Sequence, residues 1–306
     1  MKLLLGLLAA MPLRVSYAAA AVMYLLLYHL FRYRRGTVRD NLSWAFPQKS
    51  EAERKQIEKA SYRHLCNLFM EILSSTRLPQ AEMADRVSFT NPEVLAGVTN
   101  NFDKQAIVLL IHQGNWEWIL HAAMFKMGIS VDPVYKTLHS PLWNQYMLDA
   151  RSRFGASPMP IDRVGREVIG GRKRKRLIAM LADQAGPKAA GYWRQFLNRP
   201  ASFYRGADKL AQALDIPVVF AKCRRVETGR YEVLFEEISL PPHPADPQRI
   251  LELYVLAAEA AIAEQPETYL WTNRRWKKTP PESFFAEQKT ATTVTEADSV
   301  TREINP

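Results

Sequence analysis

The chain has 306 residues, 47% hydrophobic and 24% charged, which excludes a disordered composition and leaves enough apolar mass for a sizeable core. Its 41 Lys and Arg outnumber 31 Asp and Glu, and the formal charge of +10 favours an anionic partner: anionic lipid, an acidic protein or nucleic acid. The mean hydropathy of -0.23 excludes a polytopic membrane protein, and two distant cysteines, Cys66 and Cys223, build neither a metal spacing nor a disulfide framework, so a reducing compartment is the default.

The N-terminal run "VSYAAAAVMYLLLYHLFRY", Val15 to Tyr33, is apolar, but short for a full span, and it holds Ser16 and His29. A cleaved signal and a retained membrane-anchoring helix compete for it. Pro12 and Arg14 interrupt the signal pattern, and the apolar run continues past the small residues, which favours the anchor. Arg32, Arg34, Arg35 and Arg39 then place that flank in the cytoplasm, and Tyr24, Tyr28 and Tyr33 suit an interface. A buried core helix is a third reading. Residues 1–35 are therefore assigned to the anchor, 36–285 to the main unit with a helical lead-in over 36–80, and 286–306 to a polar tail expected to be disordered.

After the anchor, Ser50 starts a long amphipathic helix carrying Ile57, Tyr62, Leu65, Leu68, Phe69 and Ile72. Val87–Leu95 reads as a short strand and turn. Apolar runs then alternate with helical stretches: Ile107–Ile111 before a helix to Met127, Val131–Tyr135 before a helix to Phe154, then Ser157–Ile161, Leu177–Leu181, Ile216–Cys223 and Tyr231–Ile238. Leu251 to Glu264 is a further helix, approached through a rigid loop with Pro241, Pro242, Pro244 and Pro247. This alternation predicts an α/β fold, a mixed sheet flanked by helices.

The stretch "AIVLLIHQGNWEWIL" places His112 at the end of a buried strand, where open α/β sheets hold their ligands. Asn115 is a sound N-cap for the next helix, and Glu117 lies in its first turn. With His112 in the loop, the two side chains can meet. A carboxylate on one ring nitrogen fixes the tautomer, and the other nitrogen can take a proton from a substrate hydroxyl. The competing reading is a capping histidine and an acid favoured by the helix dipole. Asp183 and Gln184 follow the strand "LIAML" and should reach the same edge. The basic run "GGRKRKR", Gly170 to Arg176, reads as a docking patch for an acidic carrier or for headgroups, as nucleic-acid binding, or as a solvated helix start. No nucleic-acid recognition motif accompanies it, so nucleic acid is not expected as a partner. Walker-type phosphate loops and Gly-x-Ser-x-Gly elbows are absent from the sequence.

"HQGNWEW" resembles the His-x4-Asp/Glu motif of glycerolipid-type acyltransferases. It is closer to the lipid A late (secondary) acyltransferase branch, the lauroyl/myristoyl type of Gram-negative inner membranes. The similarity runs from Arg35 to Lys277, through "RRGTVRDNLSWAFP", "ARSRFGASPMPIDR", the Asp-Gln block "LIAMLADQ" and the closing "YLWTNRRWK". The chain differs from the common pattern at Asn273, usually His, and at Leu197-Asn198, usually Phe-Gly. It also carries a short alanine-rich insertion after the Asp-Gln pair.

The resemblance implies a glycerolipid acyltransferase-like fold and a membrane-bound O-acyltransferase at the cytoplasmic face of the inner membrane. In that reading His112 is the general base and Glu117 orients it. The donor is an acyl-carrier protein or acyl-CoA thioester, and the acceptor is a lipid hydroxyl, first of all a lipid A-type precursor. Asn115, Arg151, Arg153, Asp183 and Gln184 form the expected substrate-binding set, with Arg151 or Arg153 facing the oxyanion or acceptor phosphates. No metal and no cofactor is expected. Acylation of a lysophospholipid, an ornithine-type lipid or another acyl product, hydrolysis, and non-catalytic lipid binding are the alternatives.

Overall fold

The structure, a computed structural model, describes residues 2–188, 191–246, 248–282 and 284–285. The expected disordered tail, 286–306, and Pro247 lie outside the described residues.

The chain begins with α1 (Lys2–Ala9) and α2 (Leu13–Tyr24), whose last turns continue as a π-helix over Leu25–Leu30. α3 (Arg35–Ala45) and α4 (Glu51–Ser74) follow. α4 opens with a capping box: Ser50 Oγ accepts the Glu53 N–H at 3.3 Å, and the Glu53 carboxylate accepts the Ser50 N–H at 2.7 Å. α2 packs along α4, with the Tyr28 and Tyr62 rings 5.2 Å apart and the Arg63 guanidinium 5.0 Å from the Tyr24 ring. Ser16, Ala20, Tyr24 and Tyr28 are buried in this contact, whereas Leu30 and Phe31 are each 67% exposed. Leu13–Leu30 is thus long and apolar enough to cross a membrane, yet one of its faces is built into the protein.

The remaining elements make a sheet and its covers. α5 (Gln80–Asp85), β1 (Val87–Phe89) and α6 (Pro92–Val98) lead to β2 (Ala106–Leu110), α7 (Trp116–Met127), β3 (Ser130–Tyr135), α8 (Pro141–Ser152), β4 (Met159–Pro160), α9 (Val164–Gly170) and β5 (Arg176–Leu181). A hairpin of β6 (Tyr192–Phe196) and β7 (Arg199–Phe203) precedes α10 (Gly206–Leu214), β8 (Val218–Glu227), β9 (Arg230–Ser239) and α11 (Arg249–Glu264). The seven-stranded sheet has the order β1-β9-β8-β2-β5-β3-β4. β2 runs parallel to both β5 and β8, and β8 pairs antiparallel with β9, so the sheet is mixed as expected.

Successive side chains of a strand point to opposite faces. Ile107, Leu109, Ile178 and Met180 therefore enter one core with Tyr62 and Tyr254, while Val108, Leu110, Leu177 and Ala179 enter a second with Trp118 and Ile119. Both faces are covered, which is why these strands read as unbroken apolar runs. Two expectations change. The strand at Ser157–Ile161 shrinks to Met159–Pro160. The segment after the Asp-Gln pair, assigned no strand from the sequence, contains the β6–β7 hairpin, turned at Leu197 and Asn198, with φ of 52° and 63°. Both turn residues are left-handed, as a two-residue hairpin requires. Leu197 is an unusual choice there, and its N–H is held by Glu259 at 2.6 Å.

Candidate active site

The register of the two central strands builds the site. β2 and β5 are parallel, with Leu110 opposite Leu181. Two residues further along each strand direction, His112 meets Asp183: the imidazole Nδ1 and Asp183 Oδ1 are 2.7 Å apart. The His112 side chain is 15% exposed and that of Asp183 1% exposed. Nδ1–H donating to the carboxylate leaves Nε2 as the lone-pair nitrogen, and the Gln184 amide nitrogen lies 3.1 Å from it. Burial alone would raise the Asp183 pKa. The neighbouring imidazole with its hydrogen bond, and the charge of Arg275, outweigh burial and hold it below the usual carboxylate range. The geometry is one in which an acid can orient a base.

Glu117, expected beside His112, lies against Arg151 instead. Its carboxylate takes a forked pair of bonds from Arg151: Nε to Oε2 at 2.9 Å and Nη2 to Oε1 at 2.5 Å. The physical reason is the start of α7. Asn115 Oδ1 accepts the Trp118 N–H at 3.0 Å, the helix begins at Trp116, and its first turn carries Glu117 inward against the last turn of α8. Burial works to raise the Glu117 pKa, and the Arg151 charge and hydrogen bonds reverse it, so the net direction is down.

The rest of the expected substrate-binding set is also redistributed. Arg151 is engaged by Glu117 and is not a free oxyanion donor. Arg153 donates to the Ser75 and Leu78 carbonyls at 3.0 and 2.7 Å, away from His112. Two residues apart on a helix point about 200° apart, so both arginines cannot face one site. Asn115 is fully buried and donates Nδ2 to Glu71 at 2.8 Å, which makes it a scaffold residue. Asp183 faces the imidazole, and Gln184 is the one member of the set placed at its open nitrogen.

Glu71 escaped the sequence reading. It is 0% exposed, and its carboxylate accepts from Tyr17 at 3.0 Å, Asn115 at 2.8 Å and Tyr231 at 2.6 Å. Its carbonyl also takes the Trp118 Nε1–H at 3.1 Å. One residue thus ties α2, the loop after β2, α7 and β9 together. The signal was present: Ser61, His64, Leu68 and Glu71 share helical spacing, an acid on a buried stripe. Glu71→Ala leaves the buried Asn115 and Tyr231 donors and the half-buried Tyr17 hydroxyl without their partner, at about 1–3 kcal/mol for each buried donor, so denaturant unfolding should show a loss of about 2 kcal/mol or more. A loss below about 1 kcal/mol would contradict the hub.

The loop is fixed from its other side too. Gly114 has φ of 64° and lies against Cys223, so it needs glycine. Its N–H donates to the Thr268 carbonyl at 3.1 Å, and the Leu270 N–H donates to the His112 carbonyl at 3.0 Å. His64 Nδ1 faces an Arg225 donor at 3.2 Å, so Nε2 carries the proton toward the Gly114 carbonyl at 3.3 Å. Burial first, and the Arg225 charge second, push the His64 pKa down to about 3, keeping it neutral. Behind Asp183, Arg275 is 2% exposed and lies 4.5 Å over the Phe203 ring, with Nε and Nη2 unpaired among the described residues.

Trp116 packs edge-on to His112, with ring centroids 5.0 Å apart. It also lines an apolar cavity with Glu117, Arg151, Leu120, Ala123 and Phe235. That cavity holds only about 50 Å³, so a longer apolar guest enters by displacing side chains. The basic run divides: Arg172 and Lys173 are exposed, whereas the three bases after them meet carboxylates. Arg176 is buried, bonded to Asp132 at 3.1 Å, Arg174 reaches the same carboxylate at 3.3 Å, and Lys175 pairs with Asp103. Arg176 opens β5, and seven residues at about 3.3 Å each place it about 23 Å from Asp183, at the opposite edge of the sheet.

Residues 2–278 match the family described as bacterial lipid A biosynthesis acyltransferase. No curated protein matches the chain. The matched span includes the N-terminal helices, the His112 loop, Asp183 and the closing segment through Arg275, and the chain belongs to the bacterial lipid A biosynthesis acyltransferase family.

Proposed function

We propose that this protein is a membrane-bound O-acyltransferase that moves a fatty acyl group from a thioester, on acyl-carrier protein or CoA, to a hydroxyl of a lipid A-type precursor, as a late acyltransferase. The observation that carries the proposal is the His112–Asp183 pair at the carboxyl edge of the parallel strands, 2.7 Å apart, with Nε2 turned outward. The acceptor oxygen attacks the thioester carbonyl as Nε2 takes its proton. The tetrahedral intermediate collapses with cleavage of the carbon–sulfur bond, and the proton passes to the departing thiolate. Gln184 leaves Nε2 to admit the acceptor, and its amide is free to hold a substrate oxygen. The Glu117–Arg151 pair fixes the α7–α8 contact beside the apolar cavity, which shares Trp116 with the His112 surroundings and offers apolar room for the acyl chain.

Membrane seating is part of the proposal. α2 and the π-helix that continues it expose Val22, Leu25 and Leu30, Phe31 after them is exposed too, and Arg32, Arg34 and Arg39 follow. The side of this helix that faces the protein meets Glu71 at Tyr17, Arg63 at Tyr24 and Arg35 at Tyr28. Charged residues along the whole helix would be costly at bilayer depth. A helix lying in the interface, on the cytoplasmic face of the inner membrane, accommodates both sides.

The test uses purified protein with an acyl thioester and a lipid A-type acceptor. Ester formed in step with thiol released is the expected product. Free fatty acid in place of ester would make the protein a hydrolase, and no turnover of any thioester would leave lipid binding as its role.

A further inference from the structure

A second cavity, of about 370 Å³, lies beneath the turn between α1 and α2. Ala9, Met11, Leu13 and Leu78 form its apolar wall, and Arg14, Arg77 and Arg86 line it with a single acid, Glu82. Glu82 is already taken by Arg86 at 2.7 Å. Arg86 also donates to the Gly229 carbonyl at 3.3 Å, and its Nε is buried without a partner among the described residues. No carboxylate pairs with Arg14 or Arg77 among the described residues. Beside them, Arg153 is spent on the Ser75 and Leu78 carbonyls. Burial, and then the like charge of Arg77, hold Arg153 below the usual guanidinium range. Positive charge is therefore concentrated here with one committed carboxylate to offset it.

The cavity belongs to the carboxyl edge of the sheet. Arg86 precedes β1, whose first residue pairs with Tyr231 and so lies level with the end of β8 beside the His112 loop. The two helices joined by this turn carry exposed apolar residues, Leu7 at 61% on α1 and Val15 at 51% on α2. Arginine forks match phosphate oxygens better than any other side chain. We propose that the Arg14–Arg77–Arg86 cavity binds a phosphate group, presented by a lipid headgroup or carried by a soluble phosphate. The proposal requires none of the chemistry at His112.

The test compares the full-length wild type with Arg14→Gln/Arg77→Gln and with a charge-matched control, Arg172→Gln/Lys173→Gln, two exposed bases at the far edge. Thermal unfolding without additives first establishes that each variant is folded. Each is then measured with inorganic phosphate by thermal shift, and with vesicles of phosphatidylcholine alone or mixed with phosphatidylglycerol by co-sedimentation. A base near an anionic surface strengthens binding about fivefold, so the double variant should bind the anionic vesicles about 25-fold more weakly, and the control far less so. Loss of the vesicle preference alone assigns the site to a lipid headgroup, and loss of the phosphate shift alone assigns it to a soluble phosphate. If the double variant keeps both responses at the level of the control, the proposal is wrong.

Discussion

His112→Ala should lower acyl transfer by about 10²- to 10⁴-fold, the usual contribution of a positioned general base. The effect should fall on kcat, because Nε2 touches the moving proton and not the remote parts of either substrate. The substitution also removes the partner of a buried carboxylate, since Asp183 is 1% exposed and its other oxygen has no hydrogen bond among the described residues. Some stability, about 1–3 kcal/mol, should go with it. Kinetics and unfolding must therefore be measured on the same preparation. A variant that is folded and retains more than about a tenth of the wild-type kcat would remove His112 from the chemistry.

Asp183→Asn should be nearly as damaging. The asparagine amide can donate to Nδ1, which moves the imidazole proton to Nε2 and abolishes the base. In a serine-protease triad the same exchange costs about 10⁴-fold. The substitution also has a pH signature. Burial opposes ionisation of Asp183, but His112 and its hydrogen bond, with help from Arg275, depress its pKa in the folded protein. A depressed acid stabilises the fold above its unfolded value, and that stabilisation disappears as pH falls through the folded value. The stability gap between wild type and Asp183→Asn should be full near neutrality and should close as the pH drops below about 4, the ordinary aspartate range. A gap that is constant from pH 7 to pH 3 would show that the carboxylate charge contributes nothing. Glu117→Gln supplies the contrast. If Glu117 acts through Arg151, the pH dependence set by the His112–Asp183 pair should survive in that variant.

Local signals in the sequence were dependable. The apolar run of β2, the glycine and asparagine after it, and the cap at Asn115 place His112 at a sheet edge, because each depends on neighbours within a few residues. The identity of its partner does not. Glu117 is five residues away in sequence, but helix geometry turns it to Arg151. Asp183 is 71 residues away, and only the β2–β5 register brings it in. Its position after "LIAML" gave the edge but not the pairing.

Charge is misleading in part, for the same reason. Arg174, Lys175 and Arg176 look like a free basic run until Asp132 and Asp103 arrive from elsewhere in the chain. In the N-terminal helix the hydrophobic content was legible, while the stripe of Ser16, Ala20, Tyr24 and Tyr28 that seats it on α4 was masked by the apolar residues around it. The hairpin at Leu197 and Asn198 was hidden by the rarity of leucine in a left-handed turn.

The most direct test of the central claim is the lipid composition of cells that make the wild type, His112→Ala, or neither. Total lipids are extracted and compared by mass spectrometry. The account predicts that a lipid A-type species gains the mass of one fatty acyl group only where the intact histidine is present. If His112→Ala, present at wild-type level, yields the same acylated species as the wild type, the assignment of His112 as the catalytic base is contradicted.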